Sequence, residues 1–185
     1  MRSKHLIVGL CGLLAACAGG GLDLPLLASA GPATYHLGAN DEIRVWVFGF
    51  DAINNSYMVG DGGVVSLPFV GSVSVAGRST TDLEQSIAAH LIERDLARHP
   101  QVSVQITKYR PFYISGEVQK PGQYPYVPGL TMEQAVSMAG GYTFRARQDD
   151  AMVTRKEGGR TIRGRARAET ALRPDDSIVV PEAWF

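Results

Sequence analysis

The sequence is poor in the residues that most catalytic and metal sites use. Only two of its 185 residues are cysteine and four are histidine, and 18 basic residues balance 18 acidic ones. A chain without a basic excess has no long-range attraction for nucleic acid, which disfavours that class of partner. His36, His90 and His99 follow no metal-ligand spacing and stand beside no nucleophile motif. We therefore predict a protein that is not an enzyme and that holds neither a metal nor a cofactor.

Glycine and hydrophobic residues, in contrast, are abundant. The chain contains 21 glycines and 10 prolines, and 45% of its residues are hydrophobic. This composition is typical of a folded, turn-rich domain, and it disfavours both a disordered chain and a helix bundle. The length accommodates two small domains or one of ordinary size.

A long hydrophobic run is also missing, because the apolar stretch Leu6–Leu14 is too short to cross a bilayer. It follows Arg2 and leads into Leu14-Ala-Ala-Cys17, an arrangement that resembles a bacterial signal peptide ending in a lipobox. The alternative is an ordinary signal peptide with an incidental cysteine, or a buried strand. We predict that residues 1–16 are a lipoprotein signal peptide, that Cys17 is lipidated, and that residues 17–33 form a lipidated tether.

Removal of the signal peptide changes the composition of the chain. It leaves 169 residues with 16 basic and 18 acidic side chains, a net charge of −2. Cys17 is then the single cysteine, which excludes an internal disulfide and any cysteine-based catalytic site. Because Ala18 rather than aspartate follows it, the sorting rule for bacterial lipoproteins indicates the outer membrane. A lipid with more than one acyl chain suffices to hold the protein there, facing the periplasm.

Residues 34–108 are predicted to form a first module, which begins with short strands. Apolar residues alternate along Ile43–Phe48, so one face of this strand belongs to a core. Trp46 and Phe48 share the other face, and either a second apolar layer or a subunit interface covers them. Asp61-Gly-Gly63 is typical of a hairpin turn, because its glycines tolerate positive φ angles.

One helix is predicted in the first module. Thr81 and Glu84 have the spacing of a capping box, and an apolar stripe at helical spacing begins at Leu83. The helix therefore starts there and is stopped by Pro100. The alternating residues 102–106 predict the strand that closes the module.

Residues 109–185 are predicted to form a second module of similar size. It opens with a strand over Phe112–Val118, a tight turn at Lys120-Pro-Gly122 and a return strand that ends at Tyr126. Thr131 and Gln134 form a second capping box at the start of a short helix.

The remainder of the second module is predicted to be strands. A hairpin turns at Glu157-Gly-Gly159, and a strand follows within residues 174–181. Two sets of short strands, each with one helix, predict the α+β class for the whole chain.

Three stretches of the sequence carry a family resemblance. They are Tyr35-His-Leu-Gly-Ala-Asn-Asp41 with the strand after it, the segment 59–77, and Gly116-Glu-Val-Gln-Lys-Pro-Gly-Gln-Tyr124. In this order, behind a lipobox, they resemble the outer-membrane polysaccharide export (OPX) family. The resemblance implies a short form with one polysaccharide export domain, residues 34–108, and one SLBB (soluble-ligand-binding β-grasp) domain, residues 109–185.

The resemblance implies export of a capsular polysaccharide or exopolysaccharide across the periplasm and outer membrane. The protein would act as a homo-oligomeric ring that works with an inner-membrane polysaccharide co-polymerase. Longer family members continue into a pore-forming C-terminal helix, whereas this chain stops at Phe185. We therefore expect the ring either to dock under a separate outer-membrane β-barrel or to reach the membrane through its lipid alone. The rival interpretation is a monomeric periplasmic lipoprotein adaptor that binds sugar or cell-wall fragments.

Most residues of these motifs are predicted to serve backbone geometry. Those of the export motif are Tyr35, Gly38, Asp41, Asp61, Gly62, Pro68 and Gly71. Those of the SLBB motif are Gly116, Glu117, Pro121, Gly122 and Tyr124. We expect Asp41 to cap nearby amides, with sugar contact as the alternative. Glu117, inside a strand, is expected to face solvent, a cation or a neighbouring subunit.

Two further sets of side chains are candidates for contact with the polymer. Tyr113, Tyr124 and Tyr126 suit stacking on sugar rings, although strand tyrosines are more often half-buried packing residues. Residues 145–173 hold nine basic and four acidic side chains. This segment is either a solvated charged hairpin or a basic rim that meets an acidic polysaccharide or partner. The candidate contacts are Arg145, Arg147, Arg163, Arg165 and Arg167.

Overall fold

A computed structural model describes residues 24–27, 34–157 and 159–183. The predicted signal peptide and Cys17 lie outside the described residues, as does most of the tether. In the first module the strands and helix are β1 (Glu42–Val47), β2 (Asn55–Met58), β3 (Val64–Leu67), β4 (Gly71–Ser74), α1 (Thr80–Glu93) and β5 (Val102–Lys108). In the second they are β6 (Phe112–Gly116), β7 (Gly122–Tyr124), α2 (Met132–Met138), β8 (Ala151–Glu157), β9 (Arg160–Ala166) and β10 (Ser177–Val180).

The mixture of ten short strands and two helices in this part of the chain confirms the α+β class. Neither of these helices is long and apolar enough to cross a membrane.

The first module packs α1 against an antiparallel sheet of order β2-β1-β5, with β3 and β4 as a separate hairpin. Ile43, Val45 and Val47 of β1 are fully buried, as their alternation predicts. Leu83, Ile87 and Leu91 form the buried stripe of α1, because residues four apart lie on one helix face.

The predicted ends of α1 are wrong. The helix is capped by Ser79, whose hydroxyl accepts from the amide of Asp82, while the Asp82 carboxylate accepts from the amide of Ser79. Glu84 caps nothing on the helix and instead accepts from the amide of Val104 in β5. The helix ends at Glu93, before Pro100, because Asp95 turns the chain into the left-handed region with φ 54°.

The predicted hairpin at Asp61-Gly-Gly63 is also wrong. The turn is present, with the Gly63 amide donating to the Gly60 carbonyl oxygen at 2.8 Å. However, it joins β2 to β3, which belong to different sheets, because β2 pairs with β1 and β3 pairs with β4.

The second module is a five-stranded sheet of order β7-β6-β10-β8-β9. β10 lies in its centre, parallel to β6 and antiparallel to β8. The predicted β6–β7 and β8–β9 hairpins are both observed, and α2 begins at the predicted Thr131–Gln134 capping box. One face of the sheet packs with α2 into a core that includes Phe112, Ile114 and Ile178.

Gly116 occupies a backbone position that no other residue fits. It has φ +82°, and a Cβ there would collide with the carbonyl oxygen of Val180 in the neighbouring strand. The parallel pairing of β6 and β10 therefore requires glycine at its end.

We predict that Gly116→Ala destabilises the second module by about 2 kcal/mol, because it adds both backbone strain and a clash inside the sheet. Gly122→Ala is the matched control, since its nearest neighbour, Tyr124 Cε2, would be 3.9 Å away. Equilibrium unfolding in urea measures both changes. Equal stability of the two variants would contradict the assignment.

A short piece of the predicted tether is fixed on the second module. Leu26 forms a parallel bridge with Arg165, so residues 24–27 extend the sheet beyond its β9 edge. The Leu27 amide donates to the Arg165 carbonyl oxygen at 2.8 Å, and the Arg165 amide donates to the Pro25 carbonyl oxygen at 2.9 Å. Leu27 also packs over Gly164. A Cβ added at Gly164 would lie only 2.6 Å from Leu27 Cδ2.

Candidate functional site

The export motif converges on one buried carboxylate, Asp41, which has no exposed surface. Its Oδ2 accepts from the Gly38 amide at 2.8 Å, and its Oδ1 accepts from the Arg110 amide at 3.0 Å. The Tyr35 hydroxyl donates to the same carboxylate at 2.7 Å. Asp41 thus caps amides, and its burial keeps it away from any sugar in solution.

Arg110 completes this cluster from the second module. Its Nε lies 3.3 Å from Asp41 Oδ1, and its Nη2 donates to the Tyr35 hydroxyl oxygen at 3.2 Å. Gly38 makes room for the guanidinium, since a Cβ there would lie 2.5 Å from Nη1. We call Tyr35, Gly38, Asp41 and Arg110 the junction cluster.

The environment of the junction cluster affects its tyrosine most. Burial raises the pKa of Tyr35 well above its usual value, and the hydrogen bond to the charged Asp41 raises it further. Tyr35 therefore remains a neutral donor over the physiological range. Its ring meets that of Tyr109 edge-on at 5.0 Å, and Tyr109 meets Tyr126 at 5.8 Å.

The junction cluster links the two modules through both charge and aromatic packing. Sequence reasoning placed Tyr35, Gly38 and Asp41 in one motif but missed Arg110 and Tyr109. The sequence feature that could have indicated this contact is Arg110 itself, a basic residue at the module boundary. It lies 69 positions from its partner Asp41.

The other residues of the export motif lie in turns. Asp61 and Gly62 are exposed between β2 and β3. Pro68 and Gly71 flank the β3–β4 turn, where Phe69 has φ 62° and Gly71 has φ 86°. Within the described part of the chain, none of these four motif residues forms a hydrogen bond or ion pair with the junction cluster.

The SLBB motif forms the β6–β7 hairpin. Pro121 and Gly122 are exposed at its turn, and Tyr124 is half-buried, stacks on Phe112 at 5.9 Å and donates to the Lys120 carbonyl oxygen. Glu117 differs from expectation, because it follows β6 and accepts from the Thr143 hydroxyl of its own chain. Among the candidate stacking tyrosines, Tyr113 is exposed and Tyr126 is half-buried.

Most cations of the basic segment, residues 145–173, are paired with acids inside or beyond the segment. Within the described residues, six of its nine cations form ion pairs, namely Arg145, Arg147, Arg155, Lys156, Arg165 and Arg173. Asp150 is held between Arg147 and Arg165, and these three line an open cleft of about 460 Å³ with Asp149 and Arg167. Arg163 and Arg167 are exposed at the surface.

The outer face of the β2-β1-β5 sheet is uncovered. Trp46 is 46% exposed and Phe48 71% exposed, and their rings lie 6.1 Å apart. Met58, on the neighbouring strand β2, is 67% exposed. The second apolar layer that was considered for Trp46 and Phe48 is thus not supplied by the described part of the chain. Trp46 and Phe48 thus form an exposed aromatic pair, whereas Met58 lies opposite Glu42 at the other end of β1.

Among residues 24–27, 34–157 and 159–183, no three histidine, cysteine or acidic side chains come together in a way that could hold a metal ion. The chemistry available at the junction cluster is hydrogen bonding and charge pairing.

Comparison with known families matches both modules. Residues 29–107 fit the family model described as polysaccharide biosynthesis/export protein, and residues 111–166 fit that of the SLBB domain. Tyr35, Gly38 and Asp41 of the junction cluster lie in the first range, and Arg110 lies between the two ranges.

Curated relatives agree with these matches. The exopolysaccharide production protein ExoF of Rhizobium meliloti (strain 1021) is 40% identical over 140 residues, which cover 70% of this chain and 32% of ExoF. The EPS I polysaccharide export outer membrane protein EpsA of Ralstonia nicotianae is 31% identical over 112 residues, 58% of this chain and 28% of EpsA. EpsA of Ralstonia solanacearum is 35% identical over 89 residues, 46% of this chain and 23% of that protein.

The chain spans about a third or less of the length of these relatives. Two matching domain models in consecutive order, together with this identity, assign the chain to a family. It belongs to the polysaccharide biosynthesis/export protein family, with one export domain followed by one SLBB domain.

Proposed function

We propose that this protein exports an exopolysaccharide or capsular polysaccharide across the periplasm and outer membrane. The observation that carries the proposal is the export domain followed directly by an SLBB domain, in a chain similar to proteins named for exopolysaccharide production and export. The junction cluster supports it, because a conduit needs its two domains held in a fixed relation.

The proposed assembly is a homo-oligomeric ring in the outer membrane. Rings form when one surface of each copy meets a different surface of the next and the rotation closes. The exposed aromatic pair of Trp46 and Phe48 is the surface on which we base this part of the proposal. A lipid on Cys17 would anchor each copy with its domains in the periplasm.

The proposed mechanism is passive. The ring provides a path, and the free energy comes from polymer synthesis and from an inner-membrane polysaccharide co-polymerase that docks on the periplasmic side. The protein itself then needs no catalytic group.

Deletion of the gene tests the proposal. We expect secreted polysaccharide to be lost while lipid-linked precursors are still made, because only the export path is removed. Polymer in the medium and precursors in the membrane are measured separately. Unchanged secretion would contradict the proposal.

Complementation with variants separates its parts. Trp46→Arg is expected to abolish rescue if the exposed face is a subunit contact, whereas Ile92→Arg, at an exposed apolar residue of α1, serves as the control.

Cys17→Ser tests the anchor. In-cell cross-linking that traps only monomers, with secretion still dependent on the protein, would contradict the ring and favour an adaptor.

A further inference from the structure

The outer face of the second sheet carries a row of basic side chains. Along β9, residues 161, 163 and 165 point away from the core, because Gly164 and Ala166 on the alternate positions are buried. Arg163 and Arg165 therefore lie on the outer face, and Arg167 continues the row into a cleft. That cleft is also lined by Arg147, Asp149 and Asp150, and Asp150 is paired with Arg147 and Arg165.

The fixed tether segment adds an apolar side chain to the same face. Leu26 is bridged to Arg165, and side chains of paired residues lie on the same side of a sheet. Leu26 is 45% exposed although its neighbour Leu27 packs against the core of the second module. An exposed leucine thus stands beside exposed Arg163 and Arg167.

Arg165 positions these groups. Its Nε donates to the Leu24 carbonyl oxygen at 2.9 Å, and its Nη1 pairs with Asp150 at 3.1 Å. Its charge is therefore paired within the protein, whereas Arg163 and Arg167 are exposed. We call Leu26, Arg163 and Arg167 the β9 face.

Distance along the chain relates the β9 face to the proposed anchor. Cys17 and Leu24 are seven positions apart, with six residues between them. An extended residue spans at most about 3.6 Å, so the lipid attachment point lies within about 25 Å of the edge of the sheet. Arginines with an exposed leucine are the combination that binds anionic bilayer surfaces, through headgroup attraction and shallow apolar insertion.

We infer that the β9 face binds the anionic phospholipid headgroups of the membrane that holds the protein. This rests on the proposed lipid anchor, and it adds that the SLBB domain lies against the bilayer with β9 toward it. The contact orients the domain, while the lipid supplies most of the attachment.

Vesicle flotation tests the inference with the chain from residue 17 carrying Cys17→Ser, which has no lipid of its own. We expect binding to vesicles of phosphatidylglycerol and phosphatidylethanolamine, and little binding to phosphatidylcholine alone. Replacing both arginines, Arg163→Gln with Arg167→Gln, is expected to lower partitioning roughly tenfold or more. Leu26→Ser is expected to lower it about threefold.

The matched control removes two exposed arginines of the first module, Arg44→Gln with Arg98→Gln, and should leave partitioning unchanged. Equal loss in both double variants, or equal binding to both vesicle types, would overturn the inference. If the Arg163→Gln with Arg167→Gln variant loses binding to a soluble polyuronate but still binds vesicles, the inference is also overturned. The β9 face would then be assigned to the polymer. Secretion is not measured, so failure here is distinguishable from failure of the export proposal.

Discussion

Asp176→Asn is expected to destabilise the second module by about 3 kcal/mol. Asp176 is fully buried and accepts from Arg155 Nε at 2.8 Å and Nη2 at 2.7 Å. It also accepts from the Arg173 amide at 2.8 Å. Loss of the carboxylate leaves the guanidinium of Arg155, which is 5% exposed, without its counter-charge.

The adjacent acid provides the control for this variant. Asp175 makes a long ion pair, 3.8 Å, with the largely exposed Lys156, so Asp175→Asn is expected to change stability by no more than about 0.5 kcal/mol. Asparagine also tolerates the positive φ of 68° at that position. Urea unfolding of both variants is the measurement. Similar midpoints would show that the buried pair contributes little.

Asp41→Asn is expected to cost about 2–4 kcal/mol and to loosen the junction between the modules. The carboxylate receives hydrogen bonds from Tyr35, Gly38 and Arg110, all of them donors. An asparagine amide group turns one acceptor into a donor that faces another donor, and it removes the charge that pairs with Arg110.

Limited trypsin digestion adds a readout that stability alone does not give. Lys108 is a trypsin cleavage site at the boundary, whereas Pro111 blocks cleavage after Arg110. Faster cleavage after Lys108 is expected when the junction cluster is weakened. Asp61→Asn is the control, because Asp61 belongs to the same motif but is exposed in a turn. If cleavage in Asp41→Asn is no faster than in Asp61→Asn, Asp41 does not link the modules.

Local patterns predicted most of the secondary structure, because strand alternation and capping depend on residues close in sequence. The start of α1 shows the limit. Ser79–Asp82 and Thr81–Glu84 both satisfy the capping-box spacing, and the structure uses the first because Glu84 is needed by the amide of Val104.

The junction cluster was only half predictable. Tyr35, Gly38 and Asp41 lie within one motif, so their proximity follows from sequence. Arg110 is 69 positions from Asp41, so their contact depends on the tertiary fold. Likewise, a count of basic residues does not reveal that Arg147 and Arg165 enclose Asp150, since pairing depends on strand register. The spacing of residues along the sequence does not specify which residues face each other on neighbouring strands.

The extension of the sheet by residues 24–27 has a consequence for the order of folding. Arg165 and Leu24 are 141 positions apart, so residues 24–27 are synthesised early and can find their partner only after β9 exists. Contacts of such long range form late, because closing the loop costs entropy before the contact is gained. A chain still being folded would therefore keep this segment free, and its docking would mark the completed second module.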